Sequence, residues 1–294
     1  MKNDLVEKYI KQGKVVPATF DPVFKAVLKD PSTRDYLVNL INYITKIPKK
    51  YLKDNIRFSD NEPAIERAAE KGKRVDLLVD VQNKMINIEL NMEYYTGINQ
   101  KNNSYAHKLA GINYSVGEDY KENHYLIQIS IDNYDILNEN DSPLIRECAV
   151  VDLKNTKIVD KYYKIYHVNL DKTLTKYYNK NRKEDLTFFE KSLIILTREN
   201  KDELRKLCEG DEILMSVEKK IEELSLNEEI VGLYDAAQIE KKVLNTKIRN
   251  AEEEGMKKRN IEIAKKMLEK NMDINIISEI TGLTTEEITN LNSN

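Results

Sequence analysis

Apolar and polar residues alternate along two neighbouring stretches in the first third of the chain. Apolar residues occupy every second position from Val75 to Val81 and again from Ile86 to Met92. A period of two residues is typical of strands with one buried face. The two stretches are separated by only four residues, so the pattern predicts an antiparallel hairpin.

The length of the hairpin loop decides which residues face each other across the two strands. A two-residue loop at Gln82-Asn83 or a four-residue loop keeps the apolar residues of both strands on one face, whereas a three-residue loop mixes the faces. An even loop is therefore favoured. It places Asp76 opposite Glu89 if the loop has two residues, or opposite Asn91 if it has four.

Other stretches predict a front half that mixes helices and strands. Helical spacing of apolar residues predicts helices at about 20–29, 33–46 and 99–109. Alternation predicts a third strand at 125–131 and further strands at 149–153 and 163–170. No proline follows Pro143, so long helices are not interrupted later in the chain, and the pattern after Thr187 is helical.

The helical back half contains a heptad pattern. Apolar residues return at alternating spacings of four and three from Ile230 to Ala251, interrupted once by Lys241. Such a seam is typical of a coiled coil between two copies of a chain. A long helix that packs one stripe on its own domain explains the pattern equally well, and both interpretations remain open at this point.

The last residues resemble a helix-turn-helix in outline. From Lys257 the pattern predicts three short helices with a break at Gly282, and Thr284 with Glu287 has the spacing of a capping box. The third helix also carries Glu286 and contains no lysine or arginine. Since base-reading side chains are mostly basic or amide, we expect this unit to pack against protein more than to read bases.

Composition narrows the function classes. The 294 residues suit one large or two modest domains, and 47 basic against 50 acidic residues leave a net charge of −3. Any DNA-binding surface must therefore be local. Two cysteines and three widely spaced histidines argue against a disulfide framework, a four-cysteine zinc site and a histidine-based metal site. No signal peptide or membrane span is recognisable, which makes the cytoplasm the expected location and a membrane partner unexpected.

Asp76 and Glu89 are the strongest candidates for chemistry because they interrupt otherwise apolar strands. Directly opposite residues of an antiparallel pair have Cβ atoms about 4.5–5.5 Å apart. Two carboxylates at that distance repel each other unless a cation or a proton lies between them. Hard oxygen ligands suit Mg²⁺ or Mn²⁺. Alternatively, both acids lie on a solvated sheet face and pair with Arg74 or Lys84.

Several motifs share the order and spacing of a known family. They are Val75-Asp76-Leu77-Leu78, Ile88-Glu89-Leu90-Asn91, Phe20-Asp21-Pro22-Val23-Phe24-Lys25, Ser104 to Leu109, Gly117 to Tyr120, and Ala264 to Thr284. Together they resemble the PD-(D/E)xK nuclease core, and in particular the Rpn family of recombination-promoting nucleases, also described as PD-(D/E)xK family transposases.

The resemblance implies an α/β fold. It predicts a restriction-endonuclease-like core with a mixed sheet flanked by helices over residues 1–185. A helical extension with a possible coiled-coil seam follows at 186–256, and a small helix-turn-helix-like unit at 257–294. The C-terminal half is thus expected to be mostly helical.

The resemblance also implies an activity, a Mg²⁺-dependent DNA endonuclease linked to recombination or transposition. Asp76 and Glu89 would hold Mg²⁺, with Mn²⁺ as a substitute, and Asn91 would complete the catalytic set. At the position of Asn91 the wider superfamily has lysine and this family usually has glutamine, so the amide is kept but is one methylene shorter. The alternative is a catalytically weak or inactive member that acts as a DNA-binding or dimerising regulator.

Further residues are assigned on the same resemblance. Asp21 would complete the metal site, although it could instead cap the helix that starts at Pro22. Lys25, Lys101 and Lys108 are expected to contact backbone phosphates of DNA, with a solvated surface lysine as the alternative for each. Lys101 stands where the family has arginine, so it keeps the charge but lacks the bidentate fork.

Overall fold

A computed structural model of the chain describes residues 2–58, 76–112, 125–139, 141–179 and 186–291. The chain forms two compact units, Met1–Gly232 and Leu233–Asn294. Among the helices described, none combines the length and the apolar character that a membrane crossing requires.

The first unit contains the helices and strands that surround the candidate site. Its helices are α1 (Lys2–Lys11), α2 (Asp21–Lys29), α3 (Arg34–Thr45), α4 (Lys49–Asn55), α5 (Ile98–Ile112), α6 (Leu170–Tyr178), α7 (Phe188–Ile194), α8 (Lys201–Cys208) and α9 (Glu212–Leu224). Its strands are β1 (Ile56–Phe58), β2 (Leu77–Val81), β3 (Lys84–Asn91), β4 (Tyr125–Asp132), β5 (Ile145–Val151) and β6 (Ile158–Asn169).

Within the described residues these strands form one six-stranded mixed sheet in the order β1-β2-β3-β4-β6-β5. Strand β4 is parallel to β3 on one side and to β6 on the other, and the remaining pairs are antiparallel. Helices flank the sheet, and the C-terminal part of the chain is mostly helical. The predicted α/β class with a mixed sheet is confirmed.

The β2–β3 hairpin has the two-residue loop that was one of the two favoured alternatives. Val81 lies opposite Lys84 and Leu77 lies opposite Ile88. Gln82, the first loop residue, has a left-handed backbone with φ of 54°. Its side-chain oxygen accepts a hydrogen bond from the Tyr51 hydroxyl at 2.7 Å. The loop is thus tied to α4, and the register of the hairpin is set.

The two faces of the sheet differ in chemistry. One face is apolar and fully buried along β2, β3 and β4; its residues are Leu77, Val79, Val81, Ile86, Ile88, Ile129 and Ile131. The other face is covered by α5, whose Tyr105, Ala106 and Leu109 pack with Leu78 and Leu126. Beyond this small apolar cluster, the α5 side of β3 and β4 carries polar residues that are also buried.

Most predicted elements of the first unit are confirmed, with small differences at their ends. Helices α2, α3 and α5 and strand β4 lie where the spacing placed them. Strands β5 and β6 begin earlier than predicted, at Ile145 and Ile158. Their pairing contains register shifts around Val150, and such an irregularity blurs the alternation from which strand ends are predicted.

The second unit is helical. Helix α10 (Glu228–Glu269) is one continuous helix, followed by α11 (Ile274–Thr281) and α12 (Thr285–Leu291). The first of the three predicted short helices is therefore the end of α10, with no break at Lys257. Residues from all three helices and the turn after α11 form a small apolar core of Ala264, Ile277, Leu283 and Ile288.

Both predicted signals at the last turn are confirmed. Helix α11 ends at Thr281, and Gly282, its C-terminal capping residue, has a φ of 69°. Thr284 and Glu287 form the capping box: the Glu287 amide donates to the Thr284 hydroxyl at 3.1 Å, and the Thr284 amide donates to the Glu287 carboxylate at 3.0 Å. The same carboxylate pairs with Lys257 at 3.0 Å. These contacts fix α12 against the end of α10.

Candidate active site

Asp76 and Glu89 lie next to each other at one end of the β2–β3 hairpin. The pairing of the two strands ends with Leu77 opposite Ile88, and Asp76 and Glu89 are the next residue on each side. The Leu90 amide donates a hydrogen bond to Asp76 Oδ2 at 2.8 Å, and the Asp76 amide donates to Glu89 Oε1 at 3.3 Å. Each carboxylate is therefore held through one oxygen. The other oxygens, Asp76 Oδ1 and Glu89 Oε2, make no hydrogen bond to the described residues.

The environment of this pair opposes the loss of protons. Glu89 is only 1% exposed. Burial, together with the charge of Asp76, raises the pKa of Glu89 to about 8. Burial also raises the pKa of Asp76, and the nearby charge of Asp21 acts in the same direction. Without a cation at neutral pH, the favoured state of the pair is therefore one that retains a proton.

The solvated-surface interpretation of the two acids is wrong for Glu89, because α5 covers that face of the sheet. Lys84, a suggested surface partner, bonds Asn83 and stacks over the rings of Tyr51 and Tyr125 instead. Arg74, the other suggested partner, lies outside the described residues, as does the Gly117–Tyr120 motif. A buried Glu89 beside a part-buried Asp76 is an arrangement that a positive charge would stabilise.

Two predicted lysines lie near the acid pair. The charge of Lys101, on α5, lowers the pKa of both Asp76 and Glu89, opposing the larger effect of burial, and Lys25 has the same influence on Asp76. The Lys101 ammonium also stacks over the Tyr105 ring at 5.5 Å. Lys108 follows two turns later on α5 and has no comparable influence on either acid.

Asp21 is brought towards the pair but is not a helix cap. It is the first residue of α2, Phe20 occupies the capping position, and no side-chain cap is formed. The capping alternative is therefore wrong. The Asp21 carboxylate forms an ion pair with Lys25 at 3.2 Å. Its negative charge also helps to raise the pKa of Asp76. Its assignment as a metal ligand stays a prediction.

Asn91 belongs to a buried hydrogen-bonded chain that extends to β6. Its amide nitrogen donates to Asp132 Oδ1 at 2.7 Å, and Asp132 Oδ2 lies 2.7 Å from His167 Nδ1. Asn91 and Asp132 are 5% and 1% exposed. The predicted site residue is present, two positions after Glu89, and its amide group is held by a partner on the neighbouring strand.

A second series of buried hydrogen bonds, through Asn87, holds the Glu89 carboxylate. Asn87 Nδ2 donates to Glu89 Oε1 at 3.1 Å and to Gln128 Oε1 at 2.8 Å. Asn87 Oδ1 is buried and has no hydrogen-bond partner among the described residues. The amide of Asn87 thus orients the carboxylate of Glu89 while its own oxygen stays unsatisfied.

The sequence interpretation missed the partners on β4 and β6, namely Gln128, Asp132 and His167. A signal did exist: polar residues recur at Asn87, Glu89 and Asn91 and again, with the same spacing, at Gln128, Ser130 and Asp132. The parallel pairing of β3 with β4 brings the two series side by side.

The donor set fits a hard divalent cation. Two adjacent carboxylates each present one oxygen without a partner in the described chain, and Mg²⁺ typically binds one or two carboxylates while keeping several waters. The described residues contain no group of three or more His, Cys, Asp or Glu side chains positioned to hold a metal. A cation here would thus be bound by the Asp76–Glu89 pair and complete its coordination with other oxygens.

Comparison with known families agrees with this geometry. The family model described as PD-(D/E)XK nuclease family transposase matches residues 18–251. The model described as Rpn/YhgA-like nuclease family, C-terminal HTH domain, matches residues 257–293. No curated protein and no solved structure gives a significant match. The first match covers most of the chain, including both strands that carry the acid pair, and the chain therefore belongs to the PD-(D/E)XK nuclease family of transposases.

Proposed function

We propose that the chain is a Mg²⁺-dependent endonuclease that hydrolyses phosphodiester bonds of DNA. The observation that carries the proposal is the pair of buried Glu89 and part-buried Asp76, in which each carboxylate is fixed through one oxygen and presents the other. Keeping two such groups together costs stability unless a cation or proton joins them. Family membership supports the same reaction class.

In this reaction a water oxygen bonds to phosphorus, one P–O ester bond breaks, and the leaving oxygen takes up a proton as the water loses one. A divalent cation, when bound, lowers the pKa of a water and offsets charge on the phosphate. Asp76 and Glu89 would hold that cation, and Asp21 would join as a further ligand only after its side chain moves closer, since the three carboxylates do not form a metal-binding group in the described structure. Asn91 would position the attacking water.

DNA would reach this site through local positive charge. The chain has a net charge of −3, but Lys25 and Lys101 lie close enough to the acid pair to affect its pKa values. Backbone phosphates are the expected partners of such lysines. Lys108, which lies on α5 with Lys101, would contact the DNA farther from the reacting phosphate.

A second function, DNA binding or dimerisation without turnover, is favoured by two observations. Residues 257–293 match a helix-turn-helix domain, and helix α10 leaves apolar side chains of its heptad seam half exposed, with Leu244 at 56% and Ile248 at 48%. A second copy of the chain would cover this stripe. Light scattering of the wild type and of Leu244→Lys/Ile248→Lys tests the homodimer, since the charged variant should then be a monomer.

Cleavage of supercoiled plasmid separates the two functions. Wild-type protein with Mg²⁺ or Mn²⁺ should nick the plasmid, and EDTA or Asp76→Ala should abolish nicking. Asp80→Ala is the matched control, because Asp80 lies on the same face of β2 and pairs with Met85, away from Glu89. Nicking that persists in Asp76→Ala would contradict the assigned site. Absence of nicking in the wild type, with DNA still bound, would favour the regulator.

A further inference from the structure

The direction in which the Asn91 carboxamide points is determined by its neighbour Asp132. Asn91 on β3 and Asp132 on β4 are directly paired in the parallel register. The side chains meet at 2.7 Å, with the amide nitrogen as donor and Asp132 Oδ1 as acceptor. Since both residues are buried, this contact is shielded from water and is strong.

Asp132 does not allow the Asn91 amide to be turned over so that its oxygen faces the carboxylate. A carboxylate accepts hydrogen bonds and has no hydrogen to donate, and its second oxygen is already engaged by His167 Nδ1 at 2.7 Å. Turning the Asn91 amide over would place two oxygens in contact. His167 in turn must carry its proton on Nδ1, because its partner offers only an acceptor. The chain from His167 through Asp132 therefore fixes one orientation of Asn91.

That orientation has a consequence for the site. In the sheet order, β4 lies on one side of β3 and β2 lies on the other. Because the amide nitrogen of Asn91 is directed towards Asp132 on β4, its oxygen Oδ1 is directed away from Asp132, and Glu89 lies two positions earlier on the same face of β3. The end of the Asn91 carboxamide that Asp132 does not hold is thus a hydrogen-bond acceptor.

We propose that Asp132, held by His167, is a positioning residue that makes Asn91 a hydrogen-bond acceptor in the catalytic set. The proposal rests on the proposed nuclease function and assigns a chemical role within it. An acceptor can hold an O–H of the attacking water and turn its lone pair towards phosphorus. It cannot donate to a phosphate oxygen, as a lysine ammonium would. Charge on the phosphate is then left to the cation and to Lys25 and Lys101.

The test is a pair of exchanges at the Asn91–Asp132 contact. In Asp132→Asn the new amide can still accept from His167 and can now donate, so Asn91 is free to turn over and the hydrogen bond survives in reverse. We expect kcat to fall roughly 10- to 100-fold, the range typical of residues that orient ligands of an active site, with KM and the melting temperature nearly unchanged. A merely structural role of Asp132 would change stability and not kcat alone.

The reciprocal exchange should restore the acceptor. Asn91→Asp alone places two carboxylates in contact and should lower the melting temperature. Combining Asn91→Asp with Asp132→Asn restores a donor–acceptor pair and again leaves an acceptor oxygen at the end of side chain 91 that faces away from position 132, so both the melting temperature and most of the lost kcat should return. Asp80→Asn, the same chemical change on β2, should leave kcat unchanged, since no hydrogen bond or ion pair of Asp80 is found in the described part of the chain.

Two results would overturn the proposal: wild-type kcat in Asp132→Asn, or a double variant that cleaves no faster than Asp132→Asn. If the wild type itself does not cleave DNA, the proposed function fails, and the melting temperatures then decide the orientation. An unchanged melting temperature in Asn91→Asp would show that Asp132 does not need a donor from position 91. A lower melting temperature in Asn91→Asp that returns to the wild-type value when Asp132→Asn is added would establish that position 91 donates this hydrogen bond and position 132 accepts it.

Discussion

Ile88 and Glu89 are consecutive residues of β3, both are at most 1% exposed, and they face opposite sides of one sheet. On the side of Ile88 the neighbours are apolar. On the side of Glu89, Asn87 and Asn91 continue along the strand, and β4 adds Gln128 and Asp132. Equal burial therefore has opposite energetic consequences on the two faces.

The difference shows how one sheet serves stability and chemistry separately. Burying apolar surface stabilises the fold by about 25 cal/mol per Å², whereas burying a carboxyl group costs free energy unless it is paired. The polar face limits this cost through hydrogen bonds such as Asn87–Gln128 and Asn91–Asp132. The free-energy cost that these hydrogen bonds do not offset is concentrated at Asp76 and Glu89. Such a local cost is expected at a functional site.

The largest effect should come from the apolar face. Ile88→Ala removes a fully buried side chain and should lower the free energy of unfolding by about 2–5 kcal/mol. Glu89→Ala should cost less in metal-free protein above pH 8, because it also removes a buried charge. Urea unfolding in EDTA measures both variants. Equal losses would mean that the two faces do not differ in the way described.

A second prediction uses pH to isolate the cost at Glu89. Its pKa is raised from 4.5 to about 8 in the fold, so the folded state holds this proton more tightly than the unfolded state. The stabilisation is fully present below about pH 4.5 and is lost as pH rises towards 8, at no more than about 1.4 kcal/mol per pH unit. Glu89→Gln should flatten this part of the profile in EDTA.

Cation binding should offset the loss of stability that ionisation of Glu89 causes. Above pH 8 Glu89 has lost its proton, so Mg²⁺ or Mn²⁺ should raise the melting temperature of the wild type and leave Glu89→Gln and Glu89→Ala unchanged. Glu240→Gln, which alters an exposed glutamate of α10, is the matched control for both experiments. Equal metal-induced shifts in wild type and Glu89→Ala would exclude a cation shared by the two acids.

The smallest effect should come from the supporting amides. Asn87→Leu leaves Gln128 Oε1 without its donor and should cost about 1–3 kcal/mol. It also removes the hydrogen bond that moderates the pKa of Glu89, so that pKa should rise further. Asn87→Leu/Gln128→Leu removes both partners and should be less destabilising than the sum of the single changes, as urea unfolding can show. Simple additivity would argue against the hydrogen-bonded pair.

The local pattern was sufficient to predict the hairpin and the positions that Asp76 can face, whereas the fold class and the metal-binding role of the acids followed from the family resemblance. The period of two residues in β2 and β3 and the need for an even loop restricted Asp76 to two opposite positions. The helices near residues 20–45 followed from spacing in the same way. These features depend on residues close to each other in the chain, where pattern and structure are directly linked.

The partners of Asn91 and Glu89 could not be predicted in this way. Asp132 is 41 residues from Asn91, and His167 is 35 residues further on. Their contacts depend on which strands pair in parallel and in which register, and no local periodicity contains that information. The wide spacing of the three histidines along the sequence carries no information about a carboxylate on β4 that bonds His167 on β6.

The two-residue loop at Gln82-Asn83 has a consequence for mutational tolerance. A substitution in the loop changes the turn, but inserting or deleting one residue shifts the whole of β2 by one position against β3. Asp76 would then face the opposite side of the sheet from Glu89. Length variation at this loop, several residues from the acids and without contact to them, should therefore abolish the proposed DNA cleavage more completely than many amino-acid exchanges beside the site itself.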